Sequence, residues 1–134
     1  MPSNVSLERF RKLTAEMKQQ VFDDAAAELD KQADLLAQLM TSVAPRGETG
    51  DLEHSIRVID GKSPLVKRIV AGGQLTIRKS VSSKPYDYAR GDEFGTVNMK
   101  ARPFFFPSYR LRKKKIVAAM KSKLTRTIKK YSAE

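Results

Sequence analysis

The chain has 134 residues, no cysteine, 40% hydrophobic and 31% charged residues, and a net charge of +11. That length supports one domain with a modest core, and without cysteine neither a disulfide framework nor a thiolate metal site can form. The charge is uneven: residues 1–60 hold 7 Lys/Arg against 11 Asp/Glu, a net of −4, and residues 61–134 hold 19 against 4, a net of +15. An acidic front and a basic back permit either phosphate neutralisation on nucleic acid or head-to-tail association of copies. No apolar stretch between Met1 and Gln20 reads as a signal peptide, and none elsewhere approaches a membrane span. The expected setting is therefore soluble and intracellular, with no membrane partner.

Residues 6–43 read as one long helix. Phe10, Leu13, Met17, Val21, Ala25, Leu29, Ala33, Leu36, Met40 and Val43 recur at steps of three or four, the stripe of an amphipathic helix. Ser6 is the candidate N-cap, and Pro45 with Gly47 closes the far end. Such a helix would be roughly 55 Å long, against a radius of gyration of ~14 Å for a compact chain of this size. It must either break or project and pack against another copy. The mean step, nearer ~3.67 than 3.5, argues against a conventional coiled coil. Asp23, Asp24, Glu28, Asp30 and Asp34 lie in its middle, as a solvated face or a charged contact.

Residues 44–56 read as a turn leading into a strand, with Gly47 and Gly50 giving freedom and Thr49 and Asp51 bonding nearby amides. A phosphate loop is excluded, because no Gly-Lys-Ser/Thr ending follows. Residues 55–60 form a short strand ended by Gly61. Runs at 65–71 and 75–81 flank Gly72-Gly73, which is either a hairpin turn or the start of a loop. Residues 82–85 read as a loop. Residues 86–94 are expected as the last main strand, with Tyr86 and Tyr88 facing alike and Gly91 marking a bulge.

The segment Pro103-Phe104-Phe105-Phe106-Pro107 reads as extended and rigid, because proline disfavours α conformation in the residue before it. Alternation then points Phe104 and Phe106 one way and Phe105 the other. One face belongs to the core; the other belongs either to the core as well or to a second subunit. A helix follows from Pro107 or Ser108, with Arg110, Arg112, Lys113, Lys114, Lys115, Lys121, Lys123, Arg126, Lys129 and Lys130 around a thin apolar stripe. Like charges at this density repel along a helix, so the pattern asks for an anionic partner. An enzyme is the weakest reading: His54 is the only histidine, and Glu93, the one carboxylate in a conspicuous motif, reads as an acceptor holding the Gly95-Thr96 turn. No cofactor or metal is expected.

Three ordered blocks lift the sequence out of the generic. Ala44-Pro45 is followed by Thr49-Gly50-Asp51-Leu52 and Ser55-Ile56, then Tyr88-Ala89 by Glu93-Phe94-Gly95-Thr96, then Ala101-Arg102-Pro103-Phe104 by Pro107. With these blocks the chain resembles the HK-ninety-seven gene-ten family of tailed-phage neck or tail-completion proteins. It departs from that pattern in Asp92 before the Glu-Phe-Gly-Thr block, where the family has an apolar residue, and in a third phenylalanine. The Arg90-Gly91-Asp92 triplet is assigned no adhesion role. The resemblance implies a structural protein, not an enzyme, that forms a hexameric ring around the DNA channel at the head–tail junction of a virion. Other junction proteins and the tail tube or terminator would be its partners, with assembly in the host cytoplasm.

The expected fold is α+β in one domain: a long helix over 1–43, a small mostly antiparallel sheet of three to four strands within 44–107, and a basic helix over 108–134. Expected subunit contacts are Asp23, Asp24 and Glu28 of one copy against Lys113, Lys114 and Lys115 of the next, with Phe105 and Phe106. Arg110, Arg112, Lys121, Lys123, Arg126, Lys129 and Lys130 are the candidate contacts to packaged DNA. The competing function is a non-specific DNA-binding protein acting through that same helix.

Overall fold

A computed structural model describes residues 3–47, 49–79 and 85–132. The fold is α+β. Helix α1 runs unbroken over Ser3–Val43, 41 residues and roughly 60 Å. Ser6 therefore lies inside the helix and does not cap it. Helix α2 is Asp51–Ser55, followed by strands β1 (Arg57–Asp60), β2 (Lys67–Val70), β3 (Ile77–Lys79) and β4 (Pro85–Asp87). Helices α3 (Tyr88–Phe94) and α4 (Phe105–Ser132) complete the chain.

The strands form two separate antiparallel pairs, not one sheet: β1 with β2 and β3 with β4. Val58 faces Ile69 in the first pair and Arg78 faces Tyr86 in the second. Gly72-Gly73 is thus no hairpin turn, since β2 and β3 do not pair. The reason lies in its amides. Gly72 N–H donates to Ser55 Oγ (2.9 Å) and Gly73 N–H to Asp87 Oδ2 (2.7 Å), so side chains take the donors that a ladder would have used. Gly72 sits at φ 94°, and a Cβ there would collide with the Asp87 carboxylate. The real hairpin turn lies at 61–66, closed by Gly61 N–H to Val66 C=O (2.9 Å). The loop expected at 82–84 falls outside the described residues.

Two stretches are helical against expectation, one read as a turn leading into a strand and one as the last main strand. Residues 51–55 form α2 after Gly50 adopts a left-handed φ of 68°, with acids Asp51 and Glu53 in the first turn, where the helix dipole favours them. Residues 88–94 form α3 because Asp87 accepts the Ala89 N–H (3.0 Å) and starts a helix there. Gly91 is consequently a helical residue and not a bulge; its carbonyl accepts the Gly95 N–H (2.7 Å).

The core joins Leu36, Met40 and Ala44 from the end of α1 to Leu52, Ala89 and Phe104, with Ile56, Ile69, Tyr88 and Ile116 packed around them. The β1–β2 pair lies on α1, and Lys67 ties it there by bonding both Asp60 and Asp30 (2.7 Å to Asp30). These two carboxylates, Asp30 first, hold the Lys67 amine above its ordinary range. Helix α4 lies antiparallel along α1: Arg112 donates to Gln32 (3.1 Å), and further out Thr127 donates to Asp24. The stripe of α1 is buried from Ala25 to Met40, whereas Leu7 and Phe10 near its start stay 50% and 65% exposed.

The Thr127 hydroxyl, then the Gln20 amide, hold the Asp24 carboxyl below its ordinary value of 3.8, with the charges of Lys123 and Lys130 adding to them. A depressed carboxyl pKa contributes stability that is present above the unfolded value and is lost as pH falls through the folded one. Urea unfolding midpoints should therefore drop between about pH 5 and about pH 2. Thr127→Val should flatten that drop, and an unchanged slope would deny the contact any role in docking α4.

Candidate assembly interface

The corner formed by α3, the turn after it and the start of α4 gathers the second and third sequence blocks. Glu93, buried at the end of α3, points its carboxylate at the first turn of α4. Oε1 accepts the amides of Phe104 (2.9 Å) and Phe105 (2.7 Å), and Oε2 accepts that of Phe106 (3.2 Å). The next residue, Pro107, has no amide to satisfy. Every orphan donor in the turn is thereby answered, and the carboxylate's charge lies on the positive end of the helix dipole.

This arrangement overturns two expectations at once. Glu93 holds the start of α4 and not the Gly95-Thr96 turn, and the helix begins at Phe105, two or three residues before the expected position. Phe105 and Phe106 consequently follow helical and not extended geometry, with Phe104 just before the helix. Phe104 is 1% exposed in the core, Phe105 is half-buried beside it, and Phe106 is 43% exposed. Phe104 and Phe106 do not share a face. The rings of Phe104, Phe105 and Phe106 meet in successive edge-on contacts at 6.3 and 5.3 Å.

The turn itself is held from both sides. Gly95 adopts φ 80°, and a Cβ there would lie 3.0 Å from the Ala101 amide nitrogen. Thr96 and Met99 exchange backbone hydrogen bonds (2.9 and 3.3 Å). Asp92 is buried and bonds the guanidinium of Arg102 (2.8 Å), while its carbonyl accepts the Arg102 amide (2.6 Å). An apolar residue could not close the loop in that way. Arg90-Gly91-Asp92 is part of a helix here, and its aspartate is occupied.

The first block forms the facing wall. Leu52 is buried against Ala89 and Phe104. Ser55 is buried too, its hydroxyl donating to Leu52 C=O (2.6 Å) and accepting from Gly72. Arg78 links first block to second: it bonds Asp51 (2.6 Å) and lies 5.1 Å over the Tyr88 ring. Nothing in the sequence singles it out among the cations of the 65–71 and 75–81 runs. Thr49 and Arg78 hold the Asp51 carboxyl below its usual value, and burial pushes the Tyr88 phenol up. Tyr86 is half-exposed and Tyr88 packs on the core.

The surface left outside this framework is apolar. Phe94 is 64% exposed and its ring lies 6.0 Å from that of Phe106; Tyr109 is exposed beside them on α4. Together with Ile69 and the apolar face of α1, Phe106 and Tyr109 line an open groove of about 340 Å³. Of the expected charged contacts, Asp24 is engaged within its own chain by Thr127, whereas Asp23 is exposed and Glu28 bonds only Gln32. Arg112 and Lys123 are half-buried toward α1, while Arg110, Lys113, Lys114, Lys115, Lys121, Arg126, Lys129 and Lys130 face outward. His54 is exposed, and among the described residues no group of three His, Asp or Glu side chains could hold a metal ion. Among the described residues no helix is long and apolar enough to cross a membrane. Comparison with protein-family models, curated proteins and solved structures finds no match.

Glu93→Ala would strand three amides and should cost about 3 kcal/mol or more in urea unfolding followed by circular dichroism. Glu93→Gln, which keeps the shape and loses the charge, should cost clearly less. Phe104→Ala should cost about 3–5 kcal/mol, against no more than about 1 kcal/mol for Phe106→Ala in the monomer. Equal losses at the two positions would contradict the assignment of Phe104 to the core and Phe106 to the surface.

Proposed function

We propose that the chain is a structural component of a tailed-phage virion that assembles into a ring at the head–tail junction, around the DNA channel and between the head-proximal connector and the tail. The reading rests on the resemblance carried by the three blocks. The observation that carries it furthest is their convergence on one rigid corner, whose buried groups serve to hold Phe94 and Phe106 at the surface. A corner whose buried carboxylates are engaged by its own backbone amides and by Arg102, with the Phe94 and Phe106 rings exposed beside them, suits a contact surface better than a catalytic site. The assembly is a homo-oligomer, hexameric in the expected form.

The two helices supply the charge for that association. Asp23 is exposed and Glu28 half-buried on α1, and Lys113, Lys114 and Lys115 are exposed on α4, so neighbouring copies can set acid against base in a heterologous contact that closes on itself. On this reading a continuous sheet of three to four strands arises only in the assembly, when the free edges of the β1–β2 and β3–β4 pairs meet strands of a neighbour.

A second reading is non-specific DNA binding through α4. It is favoured by one feature: among the described residues Arg110, Lys113, Lys114 and Lys115 form no ion pair within the chain. Native mass spectrometry and sedimentation of the DNA-free protein separate the two. Closed rings that loosen as salt shortens the screening length from about 10 Å at 0.1 M to about 3 Å at 1 M support the neck component. The double variant Asp23→Lys, Glu28→Lys should weaken those rings at least tenfold while leaving the Asp24–Thr127 contact intact. Monomers that bind duplex DNA with a steep salt dependence and never form rings would replace the first reading with the second.

A further inference from the structure

We infer that the turn at residues 96–99 of one copy seats in the aromatic groove of a second copy, a contact that deepens the ring reading and rests on it. The turn is built to present apolar side chains. Val97 at its apex is fully exposed and Met99 is 38% exposed, although both are apolar. The backbone beneath them is fixed: Thr96 and Met99 are cross-bonded, the Asn98 amide donates to Thr96 Oγ1 (3.3 Å), and the Asp92–Arg102 pair closes the base. A turn already ordered in the free chain loses little freedom on docking.

The receiving surface lies elsewhere on the same chain. Its groove of about 340 Å³ is lined by Leu29, Ala33, Leu36, Ile69, Phe106 and Tyr109, and none of residues 96–99 lines it. Tip and groove are thus two distinct surfaces of one chain, and joining them between copies makes a heterologous contact, the kind that generates rings or filaments. Charge selects the occupant. On the α1 side of the groove three carboxylates stand against two cations: Gln32, a lining residue, bonds Glu28 (3.2 Å) and accepts from Arg112 (3.1 Å), and Lys67, another, is shared by Asp30 (2.7 Å) and Asp60, which leaves one carboxylate in excess. The tip is followed directly by the exposed cation Lys100. An acidic peptide or a nucleic-acid strand would meet the carboxylate rim, whereas a basic, apolar-tipped turn matches both rim and floor.

The chain has no cysteine, so engineered thiols report the contact without background. Full-length Val97→Cys mixed with full-length Tyr109→Cys under mild oxidation should give a cross-linked heterodimer. The mixture of Lys62→Cys with Tyr109→Cys should not. Val97→Asp, at a position with no contacts to lose, should weaken self-association at least tenfold in sedimentation with an unchanged unfolding midpoint. Lys100→Glu should weaken it several-fold. If rings form, Val97→Asp assembles like the parent and cross-linking does not exceed the control, the contact is wrong and the ring reading survives on its charged helices. If the cross-link and the Val97→Asp effect appear but only open chains form, the contact stands and the closed ring falls. A parent chain that stays monomeric up to about 1 mM, a dissociation constant worth only about 4 kcal/mol, removes both.

Discussion

One carboxylate organises this molecule. Glu93 lies on three consecutive backbone amides at the head of α4, and the other features of the corner presuppose it. A helix that begins without such an acceptor leaves its first donors to water, but Phe104 is almost wholly buried and water has no access there. Removing the acceptor would oblige the first turn to unwind until its amides reach solvent. Phe104 would then leave the contact with Leu52 and Ala89, and α4 would lose its register along α1. The buried Asp92 serves the same end from the next position, by fixing the loop that returns the chain from α3 to α4. Adjacent acids at the end of α3 thus hold the incoming end of α4 at two neighbouring points.

What could be read from the residues, and what could not, divides along the range of the interactions involved. The long helix was legible because its evidence is local and repeated: ten apolar or small residues at helical spacing over 41 residues. The β-rich character of the middle was legible from its branched residues, but not its pairing. Ser55 and Asp87 claim the two glycine amides from 17 and 14 residues away. No rule about glycine pairs contains that information. The aromatic run misled for the same reason. Local steric rules make a residue before proline avoid α conformation, and here Phe106 is helical before Pro107 because an acceptor 13 residues upstream stabilises the turn. Helices α2 and α3, at 5 and 7 residues, are too short for periodicity to announce them. The candidate site was legible as a set of ordered blocks; that the blocks meet in space, and that Arg78 joins two of them, was not.

The charge asymmetry reads differently once α4 is seen to lie on α1. Part of the attraction between the acidic and basic ends is used inside the chain, at Asp24 with Thr127, Lys123 and Lys130. That contact is exposed enough to be screened, so its main effect is to select the antiparallel pairing and not to supply much of the stability. The apolar stripe does the larger part, and it thins out toward the distal end, where Phe10, Leu13, Met17 and Tyr131 border only a shallow cleft. The helical pair is therefore firm at the core and progressively less committed away from it, as suits an arm that adjusts to neighbours while the corner keeps its shape.

The antiparallel docking of α4 on α1 also imposes an order of events during synthesis. Asp24 and Thr127 are 103 residues apart, so the segment between them must leave the ribosome before the outer stripe of α1 is covered. Until then a helix with an open apolar face waits in the company of other nascent copies, the condition in which subunits pair prematurely or exchange equivalent segments.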